Sequence, residues 1–180
     1  MRLDIRNHWL SIAERIPSPN YNERPSPRID LLVIHNISLP PRRFGGTYIS
    51  DFFCNQLDPK LNPYFEKIKS FQVSAHLLLR RDGSIIQYVP FDKRAWHAGM
   101  SCFDGEENCN DFSIGIELEG VDDVPYETVQ YEQLVAVTHC LMRVYEGITP
   151  ERITGHSDIA PGRKTDPGEA FNWNRYLSLL

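Results

Sequence analysis

The chain has 180 residues, of which 41% are hydrophobic and 24% are charged, so its composition suits one folded domain rather than a disordered chain. Lys and Arg number 19 against 24 Asp and Glu, which gives a formal net charge of −5 at pH 7. This acidic balance argues against a protein that binds nucleic acid by neutralising phosphates, and it gives no attraction to an anionic membrane. We therefore expect a single domain over residues 1–180, with neither nucleic acid nor a membrane as partner.

The N-terminal segment and the cysteines bear on the cellular compartment. Residues 1–8 carry charges where an export signal needs an apolar stretch, and no apolar run reaches the length of a membrane span. The four cysteines form no CxxC pair, so we interpret them as reduced thiols rather than as disulfides or a structural zinc site. These features predict a cytoplasmic protein.

The first half of the chain indicates a buried strand, a short helix and a hairpin. Residues 30–35 are apolar on both alternating faces, as in a central strand that is covered on both sides. The spacing of aromatic residues over 47–57 predicts a short helix, followed by a proline-bounded loop through residue 69. Residues 73–80 and 84–89 flank an Asp-Gly pair, which favours a two-residue hairpin turn.

The second half indicates one more strand, a long helix and a helical tail. Residues 112–119 alternate in polarity, which places Glu117 and Glu119 on one face of the strand. Apolar residues recur at intervals of three and four over 128–147, as in an amphipathic helix, and residues 171–180 predict a short C-terminal helix. Strands interleaved with helices, plus one antiparallel hairpin, predict an α/β fold with a central mixed β-sheet flanked by helices.

Polar residues cluster at one strand end and in one loop. His35 ends the predicted buried strand, at a sheet edge where functional side chains commonly collect. The loop over residues 155–168 holds His156, Asp166 and further charged residues, a density more typical of a site than of a solvated turn. Two imidazoles and one carboxylate make up the three-ligand set of a catalytic zinc, which leaves a fourth position for water. The sequence thus predicts a zinc site made of His35, His156 and Asp166.

Two further charged residues fit the remaining roles in a zinc hydrolase. Such an enzyme needs a base for the attacking water and a cation or hydrogen-bond donor for the oxyanion. Glu117 fits the first role and Lys164 the second. Glu119 is a competing base, ranked lower because it lies nearer the following loop, where a solvated charge is normal. His76 and His97 stay open as alternative ligands, as hydrogen-bond donors to the ligands or as parts of a substrate wall.

Several segments carry a family resemblance, and in chain order they are Val-Ile-His35-Asn-Ile-Ser, Val-Ser-Ala-His76, Ala-Trp-His97-Ala-Gly, Ser-Ile-Gly-Ile-Glu117-Leu-Glu-Gly and Gly-His156 through Asp166-Pro-Gly. Over residues 24–173 the chain resembles the zinc N-acetylmuramoyl-L-alanine amidases, a superfamily that also contains the peptidoglycan recognition proteins. Within it the chain is similar to the cytoplasmic AmpD type, the anhydro-N-acetylmuramoyl-L-alanine amidases of cell-wall recycling.

The resemblance implies an activity, a cofactor and a set of residue roles. It implies hydrolysis of the amide between the lactyl group of (anhydro)-N-acetylmuramic acid and L-alanine, with a zinc ion as cofactor and an anhydromuramoyl peptide as substrate. The family's zinc ligands correspond to His35, His156 and Asp166, and its catalytic acid and lysine correspond to Glu117 and Lys164. The segments that line the family's substrate groove contain Asn36, Trp96, His97 and Arg163.

Trp96 and Arg163 also suit a substrate by their own chemistry. The indole offers a flat apolar face for a sugar ring, and the guanidinium offers a planar fork for a peptide carboxylate. Two other functions stay in view: a binding module that holds peptidoglycan without cutting it, and an amidase that acts on polymeric peptidoglycan outside the cytoplasm. The presence of all three ligands argues against the first. No oligomeric partner is implied.

Overall fold

A six-stranded mixed β-sheet forms the centre of the structure, a computed structural model that describes residues 3–180. Met1 and Arg2, which open the charged N-terminal segment, lie outside the described residues. In chain order the strands are β1 (Ile5–Arg6), β2 (Trp9–Leu10), β3 (Glu14–Arg15), β4 (Tyr21–Glu23), β5 (Leu31–Ile37), β6 (Leu77–Leu79), β7 (Ile85–Gln87), β8 (Lys93–Ala95), β9 (Cys102–Phe103), β10 (Glu106–Glu107), β11 (Ser113–Glu119) and β12 (Ile153–Gly155).

The central sheet runs in the order β12, β5, β11, β6, β7, β3. The first four of these strands are parallel, whereas β7 returns antiparallel to β6. Every residue of β11 is buried, as are the first five residues of β5, because both strands lie in the middle of the sheet with a layer on each face. This confirms the central strand predicted over 30–35, which continues to Ile37, and the strand predicted over 112–119.

Helices cover both faces of the sheet, and they are α1 (Tyr48–Phe53), α2 (Pro63–Ile68), α3 (Thr128–Val144), α4 (His156–Ile159) and α5 (Trp173–Leu177). On one face, Leu134 and Val137 of α3 belong to a core that includes Ile116 of β11. On the other face, Phe53 of α1 and Phe65 of α2 pack in a second core with side chains of β6 and β7. The architecture is the predicted one, a mixed sheet flanked by helices.

The segment predicted as a proline-bounded loop contains a helix, α2. The side chain of Asn62 accepts a hydrogen bond from the amide of Tyr64 at 2.9 Å, which caps the helix. Pro63 follows as the first helical residue, a position where the missing N–H loses no hydrogen bond. The prolines indicated a loop in the sequence, but the proline at this position favours the start of a helix.

The predicted hairpin is present, but its turn is longer than expected. β6 and β7 pair antiparallel, and Arg80 closes the turn with two main-chain hydrogen bonds, from its own N–H to Ser84 O at 2.9 Å and from Gly83 N to its oxygen at 3.0 Å. The turn is therefore a three-residue loop over 81–83 and not a two-residue turn. Gly83 adopts a φ of 85°, the left-handed conformation that such a loop needs at its last residue.

The longest helix, α3, begins at Thr128 as predicted and ends three residues before the predicted end. Glu127 and Gln130 form a reciprocal capping box at its start. The predicted C-terminal helix is also present, as the short α5. Across residues 3–180, no helix combines the length and the apolar character that crossing a membrane requires.

Candidate metal centre

Three candidate ligand atoms meet where β5 and β12 lie side by side. His35 lies near the end of β5, His156 begins α4 directly after β12, and Asp166 follows in the next loop. His35 Nδ1, His156 Nδ1 and Asp166 Oδ2 are each 3.0 Å from the other two atoms. Within residues 3–180 no other three His, Cys, Asp or Glu side chains come together in this way. We refer to His35, His156 and Asp166 as the trio.

The spacing and the chemistry of these three atoms fit a zinc ion. Donors that surround zinc tetrahedrally at about 2.0–2.1 Å stand about 3.3 Å apart, close to the separation found here. His156 donates its Nε2 hydrogen to the main-chain oxygen of Ala98 at 3.0 Å, and His35 Nε2 lies 2.9 Å from His97 Nδ1. Outer hydrogen bonds of this kind would leave the Nδ1 lone pair of each imidazole free to bind such an ion.

Burial and hydrogen bonds set the protonation of His35 and Asp166. Burial lowers the pKa of His35 to about 4, so its imidazole is neutral at neutral pH. Burial also disfavours ionisation of Asp166, but hydrogen bonds with His156 and His35 outweigh it and hold the pKa of this carboxyl below its usual range. A neutral imidazole and an ionised carboxylate are the forms that bind a metal.

Glu117 lies beside the trio on the neighbouring strand β11, in register with His35. Its side chain is buried, and among the described residues its Oε2 has no hydrogen-bond partner. Burial raises the pKa of Glu117 well above its usual value, and the nearby carboxylate of Asp166 raises it further, against an opposing effect of Lys164. A buried carboxyl group with one free oxygen is suited to accepting and releasing a proton.

Glu119, the competing base, is engaged away from the trio. Its Oε1 accepts a hydrogen bond from the amide of Gly45 at 2.6 Å, and its Oε2 accepts one from the amide of Arg81 at 3.1 Å. The expectation that Glu119 carries a solvated charge is wrong, because its side chain is only 3% exposed and main-chain N–H groups of two loops bind both of its oxygens. Glu119 therefore joins those loops to the end of β11.

The trio opens into a cavity of about 380 Å³. Glu117 and Lys164 both line it, and Lys164 is exposed, with no hydrogen bond or ion pair to hold its ammonium group within residues 3–180. Apolar side chains contributed by α1, α2 and the segment after α2 complete much of the lining: Phe52, Phe53, Tyr64, Ile68, Phe71 and Val73. The cavity thus combines charged groups near the trio with an apolar surface.

Three of the four residues predicted to line a substrate groove lie in this cavity. Trp96 is half-buried in its lining, and His97 is buried with its ring between His35 and β11. Asn36 also lines the cavity, but its side-chain amide donates to Asp122 Oδ1 at 2.8 Å and to the main-chain oxygen of Pro167 at 3.0 Å. The amide of Asn36 is therefore engaged in holding the loop that follows Asp166.

Arg163, the fourth of these residues, lies outside the cavity that holds the trio. It lines an adjoining cleft of about 550 Å³, which shares Asn36, Lys164 and Asp166 with that cavity. Its guanidinium donates to the main-chain oxygens of Ala98, at 2.6 Å, and of Met100. Arg163 thus braces the main chain beside the trio, and contact with a substrate carboxylate stays a prediction.

His76 takes no part in the trio. Its Nδ1 accepts a hydrogen bond from the amide of Gly115, and its Nε2 donates to the main-chain oxygen of Lys93, both at 3.0 Å. Sequence reasoning gave no role to Asn110 or Ser113, although both lie around His97 in the structure. The segment Cys109-Asn-Asp-Phe-Ser-Ile-Gly could have drawn attention to them, but the contacts themselves are long-range.

Comparisons with known proteins give these residues a family context. The family model described as N-acetylmuramoyl-L-alanine amidase matches residues 25–169. The 1,6-anhydro-N-acetylmuramyl-L-alanine amidase AmpD of Escherichia coli (strain K12) is 57% identical over 177 residues, 98% of this chain and 96% of that protein. A crystal structure of a selenomethionine derivative of AmpD has a TM-score of 0.95 at 55% identity and covers 98% of each chain. AmpDH3 of Pseudomonas aeruginosa in complex with anhydromuramic pentapeptide has a TM-score of 0.62 at 28% identity, over 86% of this chain and 61% of that one.

Proposed function

The chain belongs to the N-acetylmuramoyl-L-alanine amidase family, and we propose that His35, His156 and Asp166 hold the zinc ion with which it works. It is a hydrolase that cuts the amide bond between the lactyl group of (anhydro)-N-acetylmuramic acid and L-alanine in muropeptides, in peptidoglycan recycling. The observation that carries the zinc proposal is the trio itself, with three donor atoms 3.0 Å apart beside a buried carboxyl group.

The proposed role of Glu117 is to move one proton. Zinc, when bound by three protein ligands, polarises a carbonyl group and lowers the pKa of water at its open position. Glu117 accepts a proton from the water that attacks the lactyl carbonyl carbon, and it passes that proton to the departing nitrogen of L-alanine as the C–N bond breaks. One carboxyl group thus serves first as base and then as acid.

The proposed role of Lys164 is to stabilise the negative charge that develops on the carbonyl oxygen. Its ammonium group has no competing partner among the described residues and reaches the same cavity as Glu117. A cation at this place favours the charged tetrahedral intermediate over the neutral amide. Lys164 and Glu117 therefore act on different atoms of the same amide group, Lys164 on its oxygen and Glu117 on its nitrogen.

We further propose how the chain holds its substrate and where it works. A muropeptide occupies the cavity beside the trio with its sugar ring against Trp96, near Asn36 and His97, and Arg163 binds a peptide carboxylate from the adjoining cleft. The relative bound to anhydromuramic pentapeptide supports this class of ligand. The chain works as a single zinc amidase domain over residues 1–180 in the cytoplasm, on released wall fragments.

The test is a comparison of substrates with and without metal. We expect a higher kcat/KM for an anhydromuramoyl peptide than for the same peptide on the ordinary reducing sugar, and little cleavage of intact sacculi. A chelator should abolish cleavage and added zinc should restore it, whereas Asp166→Ala should fold but bind no zinc. Sacculi cut as efficiently as the anhydro fragment would contradict the recycling substrate, and full activity in Asp166→Ala would contradict the zinc site.

A further inference from the structure

Two successive main-chain amides beside the metal centre are held by one side chain. The N–H groups of His97 and Ala98 both donate to Oδ1 of Asn110, at 3.1 and 2.8 Å. Asn110 is buried in a 3₁₀ turn, Cys109–Asp111, that directly precedes β11. Asn110 therefore holds the two N–H groups of the His97–Ala98 main chain, while Arg163 holds the neighbouring carbonyl groups of Ala98 and Met100.

The same two residues supply the outer hydrogen-bond partners of both imidazole ligands. The ring of His97 meets His35 Nε2 at 2.9 Å, and the main-chain oxygen of Ala98 accepts from His156 Nε2 at 3.0 Å. Since each ligand is oriented by what its Nε2 contacts, any shift of this main chain turns both rings at once. Asn110 itself hydrogen-bonds neither ligand, so its influence on them passes through His97 and Ala98.

The ring of His97 is confined on its other sides. Its Nε2 lies 3.2 Å from the hydroxyl oxygen of Ser113, so that one ring nitrogen meets Ser113 while the other meets His35. It also packs against Gly115, where a Cβ atom would come within 2.4 Å of the ring. This close approach explains the glycine in the middle of β11. Because the ring is enclosed, its position follows that of the His97 main chain. Asn110 holds this main chain by accepting its N–H.

We infer that Asn110 is a positioning residue of the metal centre, which orients both imidazole ligands by holding the His97–Ala98 main chain. This inference rests on the proposed zinc site and adds to it a determinant outside the ligand set. The turn that carries Asn110 is anchored separately, because Arg24 donates to the main-chain oxygens of Asn110 and Asp111, each at 3.1 Å. A change in the Asn110 side chain therefore leaves its own main chain in place.

The experiment measures the zinc affinity of variants by competition with a chromogenic chelator. Asn110→Leu keeps a side chain that branches at Cγ and removes the acceptor, and we expect its zinc dissociation constant to rise about 10- to 100-fold, the usual effect of losing an outer partner of a ligand. Asn110→Asp keeps an acceptor oxygen in place and should stay near the wild-type affinity. Asn110→Ala is the second variant without an acceptor, to be used if the leucine variant does not fold.

The matched control is Asn20, which is also buried and also holds main chain through its side chain. Its amide donates to the main-chain oxygens of Phe53 and Val73, at 3.2 and 2.9 Å, and contacts no residue of the trio. Asn20→Leu should lower the thermal unfolding temperature without changing the zinc dissociation constant more than about twofold. A merely structural role of Asn110 would make the two leucine variants alike in both measurements.

A second measurement needs no metal. Nitrogen-15 shifts of the histidine rings in the metal-free protein should report His156 protonated at Nε2 in the wild type and a mixture of tautomers in Asn110→Leu. Unchanged zinc affinity and unchanged ring shifts in a folded Asn110→Leu would overturn the inference, as would an equal loss of affinity in Asn20→Leu. A wild-type chain that binds no zinc would instead overturn the proposed metal site itself, and this inference with it.

Discussion

The two glutamates of β11 have the same side chain on the same face of one strand, yet their hydrogen bonding differs. Glu119 uses both oxygens to accept main-chain N–H groups, whereas Oε2 of Glu117 has no partner within residues 3–180. An unpaired buried carboxyl group destabilises a fold and is retained where chemistry needs it. The hydrogen-bond partners, more than the strand position, distinguish the proposed catalytic carboxylate from the structural one.

Replacement by glutamine should therefore affect the two residues differently, lowering turnover at Glu117 and stability at Glu119. Glu117→Gln removes the proton acceptor, and we expect kcat to fall about 10²- to 10⁴-fold with zinc still bound. Glu119→Gln presents an amide group where a main-chain N–H needs an acceptor, which costs about 1–3 kcal/mol of stability, while kcat of the folded enzyme stays near normal. Steady-state kinetics, zinc content and urea unfolding distinguish the two. A larger fall in kcat for Glu119→Gln than for Glu117→Gln would show that Glu119, and not Glu117, is the base.

The lysine of the cavity can be tested by removing only its charge. Lys164→Met keeps the aliphatic chain and should lower kcat about 10²- to 10³-fold, the usual effect of losing one group that stabilises an oxyanion. Zinc content should not change. Lys60→Met is the control, because Lys60 is an exposed lysine that lines neither the cavity nor the adjoining cleft. A normal turnover number in Lys164→Met would exclude the proposed role.

Residue chemistry made some of this site predictable and some of it not. His35 stood out because it ends an apolar strand, at a sheet edge where functional side chains collect, and Asp166 because it lies in a short loop crowded with charges. Asn110 gave no such signal, since its role depends on the amides of His97 and Ala98, which approach it only in the folded chain. Contacts of this kind are set by tertiary packing and leave no local pattern.

The length of each secondary-structure element decided whether it could be predicted from the sequence. The 17 residues of α3 and the seven of β11 are long enough for their periods to be recognised. The six residues of α2 span less than two turns, so periodicity cannot identify it and only its cap and its first proline could have done so. This short helix nevertheless supplies Tyr64 and Ile68 to the cavity.

The cap of α2 should matter for stability. Asn62→Ala removes the acceptor of the Tyr64 amide and should lower the free energy of unfolding by about 1 kcal/mol. Asn62→Asp keeps an acceptor and should be close to wild type. Urea unfolding of the two variants at equal zinc saturation measures the difference. Equal stability of the alanine and aspartate variants would show that α2 depends on tertiary packing alone.

The whole molecule buries several neutral histidines, and its stability should depend on pH accordingly. Burial lowers the pKa of His76 to about 3 and that of His35 to about 4, and it holds the pKa of His97 well below the usual value. In the unfolded chain these groups titrate near about 6.5. Below that pH the unfolded state binds protons that the folded state does not bind. The contribution of these histidines to the free energy of unfolding is therefore fully present above pH 6.5 and is lost as the pH falls toward 4. Glu117 acts in the opposite direction, because its raised pKa lets the folded state hold a proton that the unfolded state releases.

We therefore expect the metal-free protein to lose stability between pH 6.5 and 4.5. Each buried histidine contributes up to about 1.4 kcal/mol per pH unit in that range, and Glu117 offsets about one of the three. Urea unfolding of chelator-treated protein at half-unit steps of pH measures the slope. A free energy of unfolding that does not change over this range would mean that the histidines are not held neutral by the fold.

At the scale of the whole chain, the fold could be predicted more fully than the site. The apolar strands and the amphipathic helix specify a mixed sheet with helices on its faces, and the motif order indicates the family. The site required contacts between segments far apart in sequence, of which the strand that carries His35 and the loop that carries Asp166 are the extremes. The residue types of His35, His156 and Asp166 predict that these segments meet at a metal site. The hydrogen bonds that support the three side chains could not be predicted from the sequence and are seen only in the structure.

His35 and His156 are 121 residues apart in the chain, although their ring nitrogens lie 3.0 Å from each other. An ion held between them in the folded chain connects β5 to the segment after β12, and because the unfolded chain has no such site, the binding free energy opposes the separation of these two segments. Within residues 3–180 no two cysteines are joined by a disulfide. The proposed zinc would then be a cross-link as well as a cofactor, and its removal should speed the separation of the C-terminal third from β5 in addition to stopping hydrolysis.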